Sequence, residues 1–185
     1  MIFDESRLII ARQDRSTERR HCLASLLATS RAAFPEVRIR LLETIAVVNA
    51  QASVLDKIPT VDLFGGLIFH PALGQDGLAF SLAHELGHHL AVGPRQICGS
   101  PLACDCAADL WAVTIGLNVL SREKAKLTVK SALRQLRSIA KARPRNHTSV
   151  LGSSQKCWAL DWSRREKALN AGGVAAVTKC WMFGR

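Results

Sequence analysis

The sequence predicts an α+β fold in which a small twisted sheet packs against helices. Two observations carry this prediction: an H-E-x-x-H string at 84–88 within a helical pattern, and short alternating segments, typical of strands, upstream of it. With 185 residues, 48% of them hydrophobic, the chain can bury a real core. We therefore expect a single domain over 1–185, with a core at about 17–120 and a basic helical extension at about 121–185.

The first half of the chain predicts one helix followed by strands. Thr17 to Ala33 has the apolar spacing of a helix. The alternating segment Val37 to Leu41 predicts a strand, and Ile45 to Val48 is a second candidate. Val61 to Phe69, with Gly65-Gly66 inside it, predicts a strand or hairpin that is bulged at the glycines.

The H-E-x-x-H string lies in an amphipathic segment, Gly77 to Ala91, which predicts a helix. Four residues separate His84 from His88, so both imidazoles project from one helix face and can share a zinc ion. Glu85 is then near enough to activate water without being a ligand. Because glycine weakens a helix by about 1 kcal/mol, Gly87 indicates close approach of another element. The alternative is a helix with two ordinary histidines.

A catalytic zinc needs three protein ligands and one open position, and the third ligand is expected from a second helix. Ser100 is a candidate N-cap for a helix over 101–120, which carries Asp105 and Asp109 on one face. We favour Asp105 as the ligand and expect Asp109 to accept a hydrogen bond from a zinc-bound histidine. Asp109 and Cys104 remain alternatives as the ligand, and helix-dipole stabilisation is the alternative reason for the acids.

Two segments together resemble the ImmA/IrrE-type metallopeptidases: G-L-A-F-S-L-A-H-E-L-G-H at 77–88 and D-C-A-A-D-L-W-A at 105–112. The resemblance covers roughly residues 60–120 and implies a compact, gluzincin-like zincin fold. It also implies a zinc peptidase that cleaves a specific regulatory protein in the cytosol; some members carry a DNA-binding module. The family usually has Glu where this chain has Asp105, so the second helix must lie nearer the metal. In the family, Leu-Met-Pro tends to follow that helix, whereas this chain has Asn118-Val119-Leu120-Ser121 there.

A strand beside a zincin cleft commonly pairs with an extended peptide substrate. The segment Leu67-Ile68-Phe69 is the candidate for this edge strand, and an ordinary core strand is an equal alternative.

The chain has no tyrosine, so another group must stabilise the oxyanion formed at the attacked carbonyl. We favour His147, in the loop after the basic helix, as this second catalytic residue, and His70 is the other candidate. A solvated loop histidine is the alternative for either residue.

The six cysteines and the N-terminus indicate a cytoplasmic protein. No signal peptide is apparent, so reduced thiols are expected, with Cys106 a small buried hydrophobe. A Cys157–Cys180 disulfide is conceivable only in an oxidising compartment. No stretch has the roughly 18 apolar residues of a membrane span, so no membrane partner is expected.

The net charge of +10 is concentrated in a predicted basic helix from Ser121 to Arg143, and Trp158 to Asn170 predicts a final helix. The basic helix can contact nucleic acid non-specifically or bind an acidic partner, or it is simply a solvated face. The sequence therefore predicts a zinc-dependent endopeptidase with a protein substrate. The alternative function is a regulatory binding module, with little or no turnover, on the same scaffold.

Overall fold

A computed structural model describes residues 13–93, 101–121 and 125–141, together with Leu169. The fold is mixed α+β, with a three-stranded sheet and several helices. The predictions for His147, Ser100, the Cys157–Cys180 pair and most of 158–170 fall outside the described residues. The described helices are α1 (Thr17–Ala33), α2 (Gly65–Ile68), α3 (Gln75–Leu90), α4 (Asp105–Trp111), α5 (Leu117–Leu120) and α6 (Ala125–Lys141), with a π-helical turn at Ala112–Gly116.

The sheet consists of β1 (Arg38–Leu42), β2 (Ala50–Leu55) and β3 (Ile58–Phe64), in the order β1-β3-β2. β1 runs parallel to β3, whereas β2 and β3 form an antiparallel hairpin. Asp56 and Lys57 close this hairpin with φ angles of 53° and 66°, as a two-residue type I′ turn requires.

The helix predicted at Thr17–Ala33 is confirmed, and the first predicted strand is confirmed with a shift of one residue. The second candidate, Ile45–Val48, is wrong, because the strand that pairs with β3 is β2. Residues 45–47 instead lie against the start of α2. The Gly66 N–H donates to the Ile45 carbonyl over 3.1 Å, and a Cβ on Gly66 would lie 2.4 Å from the carbonyl oxygen of Ala46.

The predicted strand at 61–69 is correct only as far as Phe64, where β3 ends. Gly65 begins the short helix α2, and the backbone N–H of Phe69 donates to the Gly65 carbonyl. Leu67, Ile68 and Phe69 are fully buried in the core, so the prediction of a substrate-pairing edge strand there is wrong. A short apolar run is compatible with a buried helix as well as with a strand, and packing decided between them.

Downstream, α3 confirms the predicted helix to within two residues at either end. The second helix reaches Leu120 as predicted but begins at Asp105, not at 101. Residues before Asp105 are held differently, since the Ala103 N–H donates to the carbonyl of His88 over 2.7 Å. None of the described helices is both long and apolar enough to cross a membrane.

The predicted basic helix is confirmed over Ala125–Lys141, as α6, and it packs its apolar side against α3. Leu133, Leu136 and Ile139 are buried there. Beside them, Oε1 of Gln135 accepts hydrogen bonds from the backbone N–H groups of Gly74 (2.7 Å) and Gly77 (3.0 Å). Gly74, the N-cap of α3, has no side chain of its own to do this. Gln135 therefore supplies from α6 the cap that α3 lacks.

Replacing Gln135 with Ala is expected to lower the free energy of unfolding by about 1–2 kcal/mol, because two N–H groups of α3 lose their acceptor. Gln135→Glu keeps an acceptor oxygen and adds a charge that favours a helix N-terminus, so it is expected to remain near wild type. Urea unfolding of both variants checks the prediction. Equal stability of the Ala and Glu variants would contradict the capping role.

Candidate metal centre

Two helices bring the predicted ligands together. His84 and His88 lie one turn apart on α3 and are fully buried, and Asp105 is the first residue of α4. Their ligating atoms form a compact triangle: the two Nε2 atoms are 3.1 Å apart. Oδ1 of Asp105 lies 3.6 Å from Nε2 of His84 and 3.5 Å from Nε2 of His88. In the described part of the chain, these residues form the one cluster of His, Cys, Asp and Glu that can hold a metal ion.

Both imidazoles are oriented from the opposite side of the ring. Nδ1 of His84 lies 2.8 Å from Oδ1 of Asp109, and Nδ1 of His88 lies 2.7 Å from the carbonyl oxygen of Ala103. A carboxylate and a carbonyl can only accept, so each Nδ1 carries the proton. In its neutral form each ring therefore directs a lone pair from Nε2 towards Asp105, which is the tautomer of a histidine that binds a metal through Nε2.

The role expected for Asp109, as a hydrogen-bond acceptor for a ligand histidine, matches this geometry. The contribution of Ala103 was missed. Its carbonyl accepts from the His88 ring while its N–H donates to the His88 carbonyl. Both contacts use backbone atoms, so residue type in the sequence carries no signal for them.

Burial also keeps the ligands in the form that binds a metal. Burial, and after it the neighbouring His84, lower the pKa of His88 to about 4. Its ring is therefore neutral at physiological pH and keeps its lone pair. Burial likewise raises the pKa of the Cys104 thiol, and Cys104 is not part of the cluster.

The triangle fits a small tetrahedral cation. Ligand atoms about 2.0–2.2 Å from such a cation stand about 3.3–3.6 Å apart, and the three separations here span 3.1 to 3.6 Å. Three lone-pair donors converge at one buried point, which is unfavourable unless a cation occupies it.

Close packing of α3 on α4 brings Asp105 within reach. A Cβ on Gly87 would lie 2.7 Å from the carbonyl oxygen of Ala108 and 2.9 Å from its Cα. The close approach predicted from Gly87 is therefore confirmed. Because aspartate is one methylene shorter than glutamate, α4 has to lie closer to the histidines than a glutamate-bearing helix would. This close contact places α4 near enough for Asp105 to reach both histidines.

Glu85 follows His84 directly and is fully buried beside the ligands. Nδ1 of His70 accepts a hydrogen bond from the Ala72 N–H over 3.1 Å. Cys22 and Cys104 are free thiols, as expected. Cys106 is disulfide-bonded, so the expectation that the cysteines are reduced is wrong for this residue. Pairing depends on proximity in the fold, which spacing along the chain does not reveal.

Comparison of the chain with protein-family models, curated proteins and solved structures gave no match. The geometry of the site is therefore the basis for assigning a function.

Replacing Gly87 with Ala tests the helix contact through the sign of the effect. In an unconstrained helix this change stabilises by about 1 kcal/mol. Here the new methyl group meets the backbone of Ala108, so a loss of about 1–3 kcal/mol is expected. Thermal or urea unfolding of the metal-free protein gives the measurement. A stabilised variant would contradict the close contact.

Proposed function

We propose that this protein is a zinc-dependent endopeptidase with a compact zincin-like fold, related to the ImmA/IrrE-type metallopeptidases. The carrying observation is the buried triangle of His84, His88 and Asp105 with Glu85 next to it. Two imidazole nitrogens and one carboxylate oxygen are a ligand set typical of catalytic zinc, which keeps a fourth position open. We propose a specific intracellular protein as the substrate.

Bound zinc supplies a Lewis acid that polarises the carbonyl and makes water a stronger nucleophile. The carboxylate of Glu85 takes a proton from the water whose oxygen attacks the peptide carbonyl carbon. As the C–N bond breaks, Glu85 passes that proton to the leaving amine nitrogen. Asp109 and the Ala103 carbonyl hold His84 and His88 in the ligating tautomer throughout.

Since residues 67–69 are buried, we assign substrate pairing to β2. This strand is at the edge of the described sheet, and it packs against α3. An extended peptide added along β2 would form main-chain hydrogen bonds with it. His147 stays a prediction for oxyanion stabilisation.

Metal analysis tests the ligand assignment. The purified protein is expected to hold about one zinc ion per chain. Asp105→Ala removes a ligand and should abolish stable binding. Asp109→Asn keeps all three ligands but weakens the hold on His84, so zinc affinity is expected to fall about 10–100-fold.

The matched control is Asp76→Asn, which removes an acid in the first turn of the same helix α3 and should leave zinc affinity unchanged. Affinities come from competition with a chromophoric chelator. Wild-type affinity for Asp105→Ala, or iron in place of zinc in the purified protein, would contradict the assignment.

Glu85→Gln tests the peptidase mechanism. Zinc-loaded protein is incubated with a library of proteome-derived peptides, and new termini are counted by mass spectrometry. Wild type should generate zinc-dependent termini, and the variant should lose about 10²–10⁴-fold in rate because the proton acceptor is gone. Its zinc content and unfolding temperature should stay unchanged.

Equal cleavage by wild type and Glu85→Gln would rule out this mechanism. A protein that binds zinc but cleaves nothing, in the library or in cells compared by their protein termini, would instead be the regulatory binding module.

A further inference from the structure

We propose that the outer face of α6 binds the phosphate backbone of nucleic acid, at a site separate from the metal centre. Lys130, Arg134 and Arg137 are all exposed on this helix. At 3.6 residues per turn they fall within an arc of about 60°, so they form a single ridge, which we call the basic ridge.

The basic ridge is not balanced by acids on its own helix. No Asp or Glu occurs between residues 125 and 141. Within the described residues, neither Lys130 nor Arg134 takes part in an ion pair. Like charges three and four residues apart on a helix repel each other, and a polyanion along the ridge would relieve that repulsion.

The other sides of α6 are already occupied. Leu133, Leu136 and Ile139 are buried in the core, and Gln135 is bonded to the start of α3. Among the side chains of α6 that the structure describes, residues 129–139, no apolar face is left to insert into a membrane or to fill a groove on a partner. Within these described residues, the exposed side of the helix is the one that carries Lys130, Arg134 and Arg137.

Nucleic acid fits this side better than an acidic protein does. A protein interface has an apolar or aromatic centre that carries most of the binding energy. The described exposed residues of α6 are Lys130, Arg134, Arg137 and Ser138, none of them apolar. Along the helix axis the three cations are about 6 and 4.5 Å apart, comparable with the short charge repeat of a nucleic-acid strand. Phosphate contacts of this kind carry no sequence preference.

The test is a fluorescence-anisotropy titration of the full, zinc-loaded chain with a labelled DNA duplex of about 20 base pairs, at about 50–200 mM salt. The ridge variant carries Lys130→Gln, Arg134→Gln and Arg137→Gln. Its salt slope, log K against log salt, should be smaller than that of wild type by about 2–3. Its affinity at the lowest salt should be at least about tenfold weaker.

The matched control removes the same charge elsewhere. Arg31→Gln, Arg38→Gln and Lys57→Asn change three exposed cations on α1, β1 and the hairpin turn, and this variant should bind the duplex nearly as wild type does. Because the ridge side chains are exposed, the ridge variant should unfold at the wild-type temperature. A second ridge variant, with Lys130→Arg, Arg134→Lys and Arg137→Lys, keeps the charge and should keep the affinity.

Three results would overturn the proposal. The first is wild-type affinity in the ridge variant, and the second is an equal loss in the control, which would trace binding to net charge alone. The third is tighter binding of poly-glutamate than of the duplex at equal charge concentration, which would indicate an acidic protein partner. Cleavage by the ridge variant should match wild type, so a failure here leaves the peptidase proposal untouched.

Discussion

The contact between α3 and α4 at Gly87 is the constraint on which the metal centre depends. With no side chain at Gly87, the backbone of Ala108 lies almost against α3. This spacing sets the reach of Asp105, whose carboxylate oxygen stands 3.5–3.6 Å from both ring nitrogens. A helix held farther out would need the longer glutamate for the same ligation. Gly87 and Asp105 therefore depend on each other: the glycine allows the close helix contact, and the short acid suits the distance that this contact sets.

The candidate metal centre places several polar side chains in the protein interior, and the surrounding residues satisfy only some of their polar atoms. His84, His88 and Glu85 are fully buried, and a buried polar group costs several kcal/mol of stability unless it is paired. Asp109 and the Ala103 carbonyl satisfy the far nitrogen of each ring. The near nitrogens and Asp105 still direct negative potential at one point. A bound cation would convert that unfavourable convergence into folding stability, so metal and fold are linked.

Spacing along the chain predicts the part of the site that lies within helices. His84, His88, Asp105 and Asp109 all follow from a four-residue interval. That interval does not predict the helix α2 at Gly65–Ile68, the type I′ turn at Asp56 or the role of the Ala103 carbonyl. Tertiary packing or contacts of backbone atoms determine each of these features. The residue types in the sequence indicate neither. The cap from Gln135 belongs to the same class, since the residues it joins are 58 and 61 positions apart.

Glu85 carries the argument for turnover rather than passive binding. A metal site built only to bind or to stabilise closes its coordination with four ligands and needs no further carboxylate. Burial alone would raise the pKa of this carboxyl, but neighbouring groups, His88 and His84 among them, hold it below its ordinary value, so Glu85 is ionised and can accept a proton. A site with three ligands and a neighbouring acid fits hydrolysis, in which one coordination position stays open and a proton must be accepted and returned. On this reasoning Glu85→Gln removes the proton carrier that a peptidase needs, while the three ligands that would hold zinc remain in place.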